Sequence, residues 1–119
     1  MRLPVPKTFR DTKDRFALIL IDGPDFKMVQ RAATYTVTPE MVFESLLEAI
    51  VNLRDRAKKP EAKALFDQCM DELRAVQELY RSGEIREAKR RTQAAEATFN
   101  EAGKAARGAR KSDLWLDKD

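Results

Sequence analysis

Arg15-Phe16-Ala17-Leu18-Ile19-Leu20-Ile21 decides how the first third of this chain is read. Six consecutive apolar residues, Phe16 to Ile21, stop at Asp22-Gly23-Pro24-Asp25, a cluster of turn-forming types. A run of that length with so sharp an end favours a strand buried on both faces over a helix. Downstream, Lys27 to Thr38 alternates. Val29, Ala33, Tyr35 and Val37 share one face, and Met28, Gln30, Ala32, Thr34 and Thr36 share the other. The expectation is an N-terminal β-hairpin over about residues 15–37. A short helix opening at Pro24 and covering Phe26 to Ala33 is the alternative for its second half. Residues 1–14 read as an irregular lead-in, because Pro4 and Pro6 interrupt any regular ladder.

Helix signals follow. Thr38-Pro39-Glu40 offers an N-cap, a proline at the first helical position and an acid at the positive end of the dipole. Pro60 pushes Lys59 out of the helical region and can itself open the next helix. Ser82-Gly83 closes that one. The windows are about 39–58, 60–81 and 84–107. Apolar residues recur in each at steps of three or four: Phe43, Leu46, Ile50, Leu53, Ala57; Ala62, Phe66, Cys69, Leu73, Val76, Tyr80; Ile85, Ala88, Thr92, Ala95, Phe99, Ala102, Ala106. That is the seam of helices packed side by side. Short links force successive helices to be antiparallel neighbours, giving an antiparallel three-helix bundle. The fold class expected is α+β, mainly α, as one domain over 1–111 with a tail at 112–119.

Leu79, Gly83, Ile85, Ala88 and Ala95 form a pattern that resembles the turn of one tetratricopeptide hairpin. The resemblance covers roughly 25 residues, and no second copy stands at the 34-residue offset that such repeats keep. It implies an αα-hairpin and carries no binding residues.

Composition narrows the chemistry. Of 119 residues, 43% are hydrophobic and 36% charged, with no histidine and one cysteine. Without imidazole there is no histidine base and no histidine metal ligand, and one cysteine builds neither an internal disulfide nor a cysteine cage for zinc. Cys69 falls on a helical seam, where a free cysteine acts as a small hydrophobe. Acids at helical spacing, such as Glu40-Glu44-Glu48 and Asp67-Asp71-Glu72, lie beside the seams and read as solvated. Asp22-Gly23-Pro24-Asp25 has too few ligands for a calcium loop and reads as a tight turn. No catalytic residue, cofactor site or metal site is expected. The apolar run is too short for a signal core or a membrane span, and with the lone cysteine this points to a cytoplasmic protein.

The net charge of +3 hides an uneven distribution. Residues 86–111 hold eight Lys and Arg against three Glu. Arg86, Lys89, Arg90, Lys104, Arg107 and Lys111 fall in one sector of a helical wheel, with Gln93 and Asn100 among them and Glu96 and Glu101 at its edges. Antiparallel packing would bring Lys104, Arg107, Arg110 and Lys111 to the end that carries Arg54, Arg56, Lys58 and Lys59. Leu114-Trp115-Leu116, between Asp113 and Asp117, adds an apolar cluster that either folds back on the bundle or docks in trans. These eleven residues are the expected partner-binding set. The expected role is a non-catalytic protein-interaction module: an adaptor, inhibitor or regulatory subunit. An accessory protein touching nucleic acid through the basic pole is the alternative, disfavoured by the absence of interleaved aromatics. A homodimer through strand addition, or through the Ala-rich face of the last helix, would complete the core of a lone hairpin.

Overall fold

A computed structural model describes residues 3–107. The first departure from expectation is at the N-terminus, where α1 runs over Phe9–Asp22 and α2 over Lys27–Ala32. There is no strand among the described residues, so the fold is all-α and the 15–37 hairpin does not form. The helix has its own start signal. Thr8 is its N-cap, and the Thr8 Oγ1 accepts a hydrogen bond from the Asp11 N–H at 3.0 Å. Phe9, Thr12, Phe16 and Ile19 form its buried seam at steps of three and four. Thr12 can sit in that seam because its hydroxyl donates to the Thr8 carbonyl at 2.7 Å. The apolar run is therefore split by the helix. Phe16 and Ile19 are buried, Leu18 and Leu20 are half-buried, and Ala17 and Ile21 are exposed.

The second half of the expected hairpin is a short helix and an extended lead-in to the next one. Both Asp22 carboxylate oxygens accept backbone N–H groups at the start of α2, from Met28 at 3.1 Å and Val29 at 3.0 Å. Phe26 is the N-cap of α2 in the left-handed region (φ 54°), and its ring is buried. Gln30 then ties the following segment down. Its side chain donates to the Tyr35 carbonyl at 2.8 Å and accepts from the Val37 N–H at 2.7 Å. One amide side chain thus pairs with two backbone groups that a strand partner would have met.

Three longer helices occupy the windows read from the sequence: α3 over Pro39–Arg56, α4 over Pro60–Arg81 and α5 over Ile85–Ala106. Thr38 caps α3, accepting from the Met41 N–H at 3.2 Å. Between α4 and α5, Gly83 adopts φ 82°, and the Glu84 N–H reaches the Leu79 carbonyl at 2.9 Å while Gly83 N–H bonds Tyr80. This is the left-handed glycine cap that lets one helix reverse into the next.

α4 and α5 form the most extensive pair, α3 packs on α4, and α1 closes the ring by packing on both α3 and α5. Neighbours around the ring run antiparallel, so α1 takes the place of a fourth bundle helix. Its rings are the key pieces: Phe9 stacks on Phe99 with centroids 4.3 Å apart, and Phe16 lies 5.1 Å from the same ring. At the other end the Tyr80 hydroxyl donates to the Ile19 carbonyl at 3.0 Å, joining α4 to α1 across the core. Two glycines permit close approach. A Cβ on Gly23 would lie 2.6 Å from the Ile19 carbonyl oxygen, and one on Gly103 would lie 2.5 Å from the Phe9 ring.

The surfaces that suggested a dimer are therefore not available in the expected way. No strand edge exists among the described residues, and Ala88, Ala95, Ala102 and Ala106 are buried inside the ring. No described helix is long and apolar enough to cross a membrane.

Candidate functional site

Ring topology places the C-terminal ends of α3 and α5 at the end of the bundle where α1 begins. The positive charge there is divided. On the α3–α4 side, Arg54 spans two acids, with one guanidinium nitrogen 2.9 Å from Asp67 and another 2.9 Å from Asp55. Hydrogen bonds to Asp67, then to Asp55, hold its pKa above the ordinary arginine value. Arg54 thereby fastens the end of α3 to α4. Arg56 and Lys58 are exposed, and Lys59 is the half-buried N-cap of α4.

On the other side lies an open groove of about 1050 Å³ between the start of α1 and the end of α5. Four cations line it, Arg10 and Lys13 from α1 and Lys104 and Arg107 from α5, with Asn100 between them and Asp11 as the one acid. The formal charge of that lining is four minus one, or +3. Arg107 lies over the Phe9 ring at 4.7 Å, a cation–π contact that holds the guanidinium at the groove wall. Lys104 reaches Glu101 at 3.4 Å, an exposed pair of little energetic weight. No ion pair engages Arg10 or Lys13 among the described residues.

Of the residues singled out from the sequence, Lys104 and Arg107 line this groove, whereas Arg54, Arg56, Lys58 and Lys59 do not. Arg110, Lys111, Leu114, Trp115 and Leu116 lie outside the described residues. Arg10 and Lys13 were missed because their segment read as lead-in. The signal that could have found them is the pair Thr8 and Asp11, an N-cap and first-turn acid, followed by Phe9, Thr12, Phe16 and Ile19 at helical spacing.

Cys69, Tyr80 and Glu87 each have a structural engagement. The Cys69 thiol is buried and donates to the Ala95 carbonyl at 3.4 Å; burial, with the Glu72 charge second, drives its pKa far upward and keeps it protonated. Tyr80 is likewise raised by burial. Glu87 receives hydrogen bonds from Arg90 and Arg91, which lower its carboxyl to about 2. Among the described residues there is no group of three or more acids or cysteines placed to hold a metal ion. No family model, curated protein or solved structure matches the chain.

Proposed function

We propose that this chain is a non-catalytic helical interaction module that binds an acidic segment of a protein partner in the α1/α5 groove. One observation carries the reading: two helices distant in sequence place Arg10, Lys13, Lys104 and Arg107 around a single groove whose lining holds one acid, Asp11. Like charges gathered around one concavity repel each other in the free protein. A bound carboxylate relieves that repulsion and is drawn in by the field of the cluster. An acidic peptide suits the site better than a nucleic acid. The aromatic ring in the groove lining is Phe9, which is buried beneath Arg107 and stacked on Phe99, so it offers no free face to a base.

Fluorescence anisotropy with a labelled poly-glutamate peptide and with labelled single-stranded and duplex DNA, at 50 and 300 mM salt, tests this. Binding of the peptide, weakened at least tenfold by Lys13→Glu combined with Lys104→Glu, is the expected result. Both side chains are exposed, so the double reversal leaves the core intact. Tighter binding of DNA than of the peptide transfers the groove to nucleic acid. Absence of binding to any of the three probes at 50 mM salt refutes the reading.

A further inference from the structure

The stripe of α1 that supplies the groove does not end with its cations. Arg10, Lys13, Ala17, Leu20 and Ile21 succeed one another at helical spacings, so they share one flank of α1. The first two are charged and the last three apolar. Ala17 is exposed, Leu20 half-buried and Ile21 68% exposed, the highest value of any large hydrophobic residue among those described. α5 runs antiparallel beside this flank. Lys104, Asn100, Gln93, Lys89 and Arg86 succeed one another at helical spacings along one flank of α5, with Glu96 among them, and Lys104 and Asn100 line the groove. The flanks of the two helices thus differ where they run on beyond the groove. α5 carries cations and amides with one acid, Glu96, among them, while α1 carries Arg10 and Lys13 in the groove and, beyond it, the aliphatic edge of Ala17, Leu20 and Ile21.

We infer that the occupant of this groove is an acidic amphipathic α-helix of a protein partner. Its carboxylates face α5 and the start of α1, and a short apolar edge lies on Ala17, Leu20 and Ile21. The inference rests on the acidic-partner reading above and adds the partner's conformation and its apolar requirement. Charge complementarity fixes the sign of the partner. The aliphatic edge fixes its shape, because three apolar side chains at spacings of three and four are matched by a helix presenting the same spacing. The fourteen residues of α1 span about 21 Å at 1.5 Å per residue, room for about four turns of a partner helix. An extended acidic chain would draw on the cations alone, and a nucleic acid would gain nothing from Ile21.

Two synthetic peptides of equal length and charge separate these cases. Both carry glutamates along one edge; one has leucines at positions i, i+3, i+4 and i+7 on the adjoining edge, and the other has glutamines there. With the full chain at 150 mM salt, the leucine peptide is expected to bind about tenfold more tightly, since seating one aliphatic side chain on Ile21 is worth about that factor. It should also gain helical circular dichroism on binding. Ile21→Ser should abolish the advantage without altering the melting temperature appreciably, whereas Lys13→Glu should weaken both peptides alike. Equal binding of the two peptides, or an advantage that survives Ile21→Ser, overturns the helical partner and leaves the acidic-segment reading standing. If neither peptide binds at 150 mM salt or at 50 mM, both readings fall. If single-stranded DNA displaces the leucine peptide at equal concentration, the groove belongs to nucleic acid and both are overturned.

Discussion

Gly103→Ala tests whether α1 is docked where the groove requires it. In a helix interior this exchange by itself stabilises by about 1 kcal/mol, because alanine has the better helical propensity. Here the new Cβ would stand 2.5 and 2.6 Å from two atoms of the Phe9 ring, against an ordinary contact of 3.4 Å or more. The ring must retreat by about 0.9 Å, the difference between 3.4 and 2.5 Å. It has little freedom to do so, being stacked on Phe99 at 4.3 Å and an interplanar angle of 7°, with Arg107 over its face. Overpacking of this kind costs about 1–3 kcal/mol. With about 2 kcal/mol lost and about 1 gained, the net is about 1 kcal/mol of destabilisation, a fall in Tm of about 3–6 °C for a chain of this size.

The decisive measurement is a double-mutant cycle by thermal and urea unfolding, with Phe9→Ala as the second change. That change alone should cost about 3–5 kcal/mol, as the ring is buried. In its background the obstruction is gone, so Gly103→Ala should turn from destabilising to stabilising, a coupling of about 2 kcal/mol. If Gly103→Ala instead raises stability by the same ~1 kcal/mol in both backgrounds, Phe9 does not sit on Gly103. The groove between α1 and α5 would then lose its geometric basis.

Two further outcomes follow from the buried and paired groups. Cys69 should be unreactive toward a disulfide reagent in native protein and react fully in denaturant, because burial and the nearby Glu72 hold the thiol protonated; rapid labelling under native conditions would contradict its position between α4 and α5. Glu87, lowered to about 2 in the folded state by Arg90 and Arg91, should contribute stability that is fully present above its unfolded value of about 4.5 and is lost as pH falls toward 2. The difference in Tm between the native chain and Glu87→Gln should therefore shrink across that window, and a difference unchanged between pH 7 and pH 2 would refute the pairing.

The three long helices were legible because each carries punctuation and periodicity that agree. Thr38-Pro39, Pro60 and Ser82-Gly83 mark ends, and the seams between them hold their three- and four-residue steps over many turns. The N-terminal third misled for an equally specific reason. Phe16 to Ile21 is continuous in apolar character because α1 leaves Ala17 and Ile21 on its outer flank, and a surface apolar stripe beside a buried one looks like a two-sided strand. Thr12 interrupts the buried seam with a polar letter, and only its hydrogen bond to the Thr8 carbonyl makes that position a core one. In residues 33–37 the alternation is real, since Ala33, Tyr35 and Val37 turn toward the core; what it lacks is a second strand, whose role the Gln30 side chain fills.

By itself the sequence determined the chemistry available and the helical windows from Pro39 to Ala106, because residue types, caps and periodicity are local properties of the chain. It also disclosed the cationic sector of α5. Tertiary structure alone decided that Arg10 and Lys13 stand opposite Lys104 and Arg107, while Arg54 is spent on Asp55 and Asp67. That division depends on where α1 docks. The docking is set by Phe9 finding the gap over Gly103 and the face of Phe99, about ninety residues away in the chain, a match of shapes that no local pattern records.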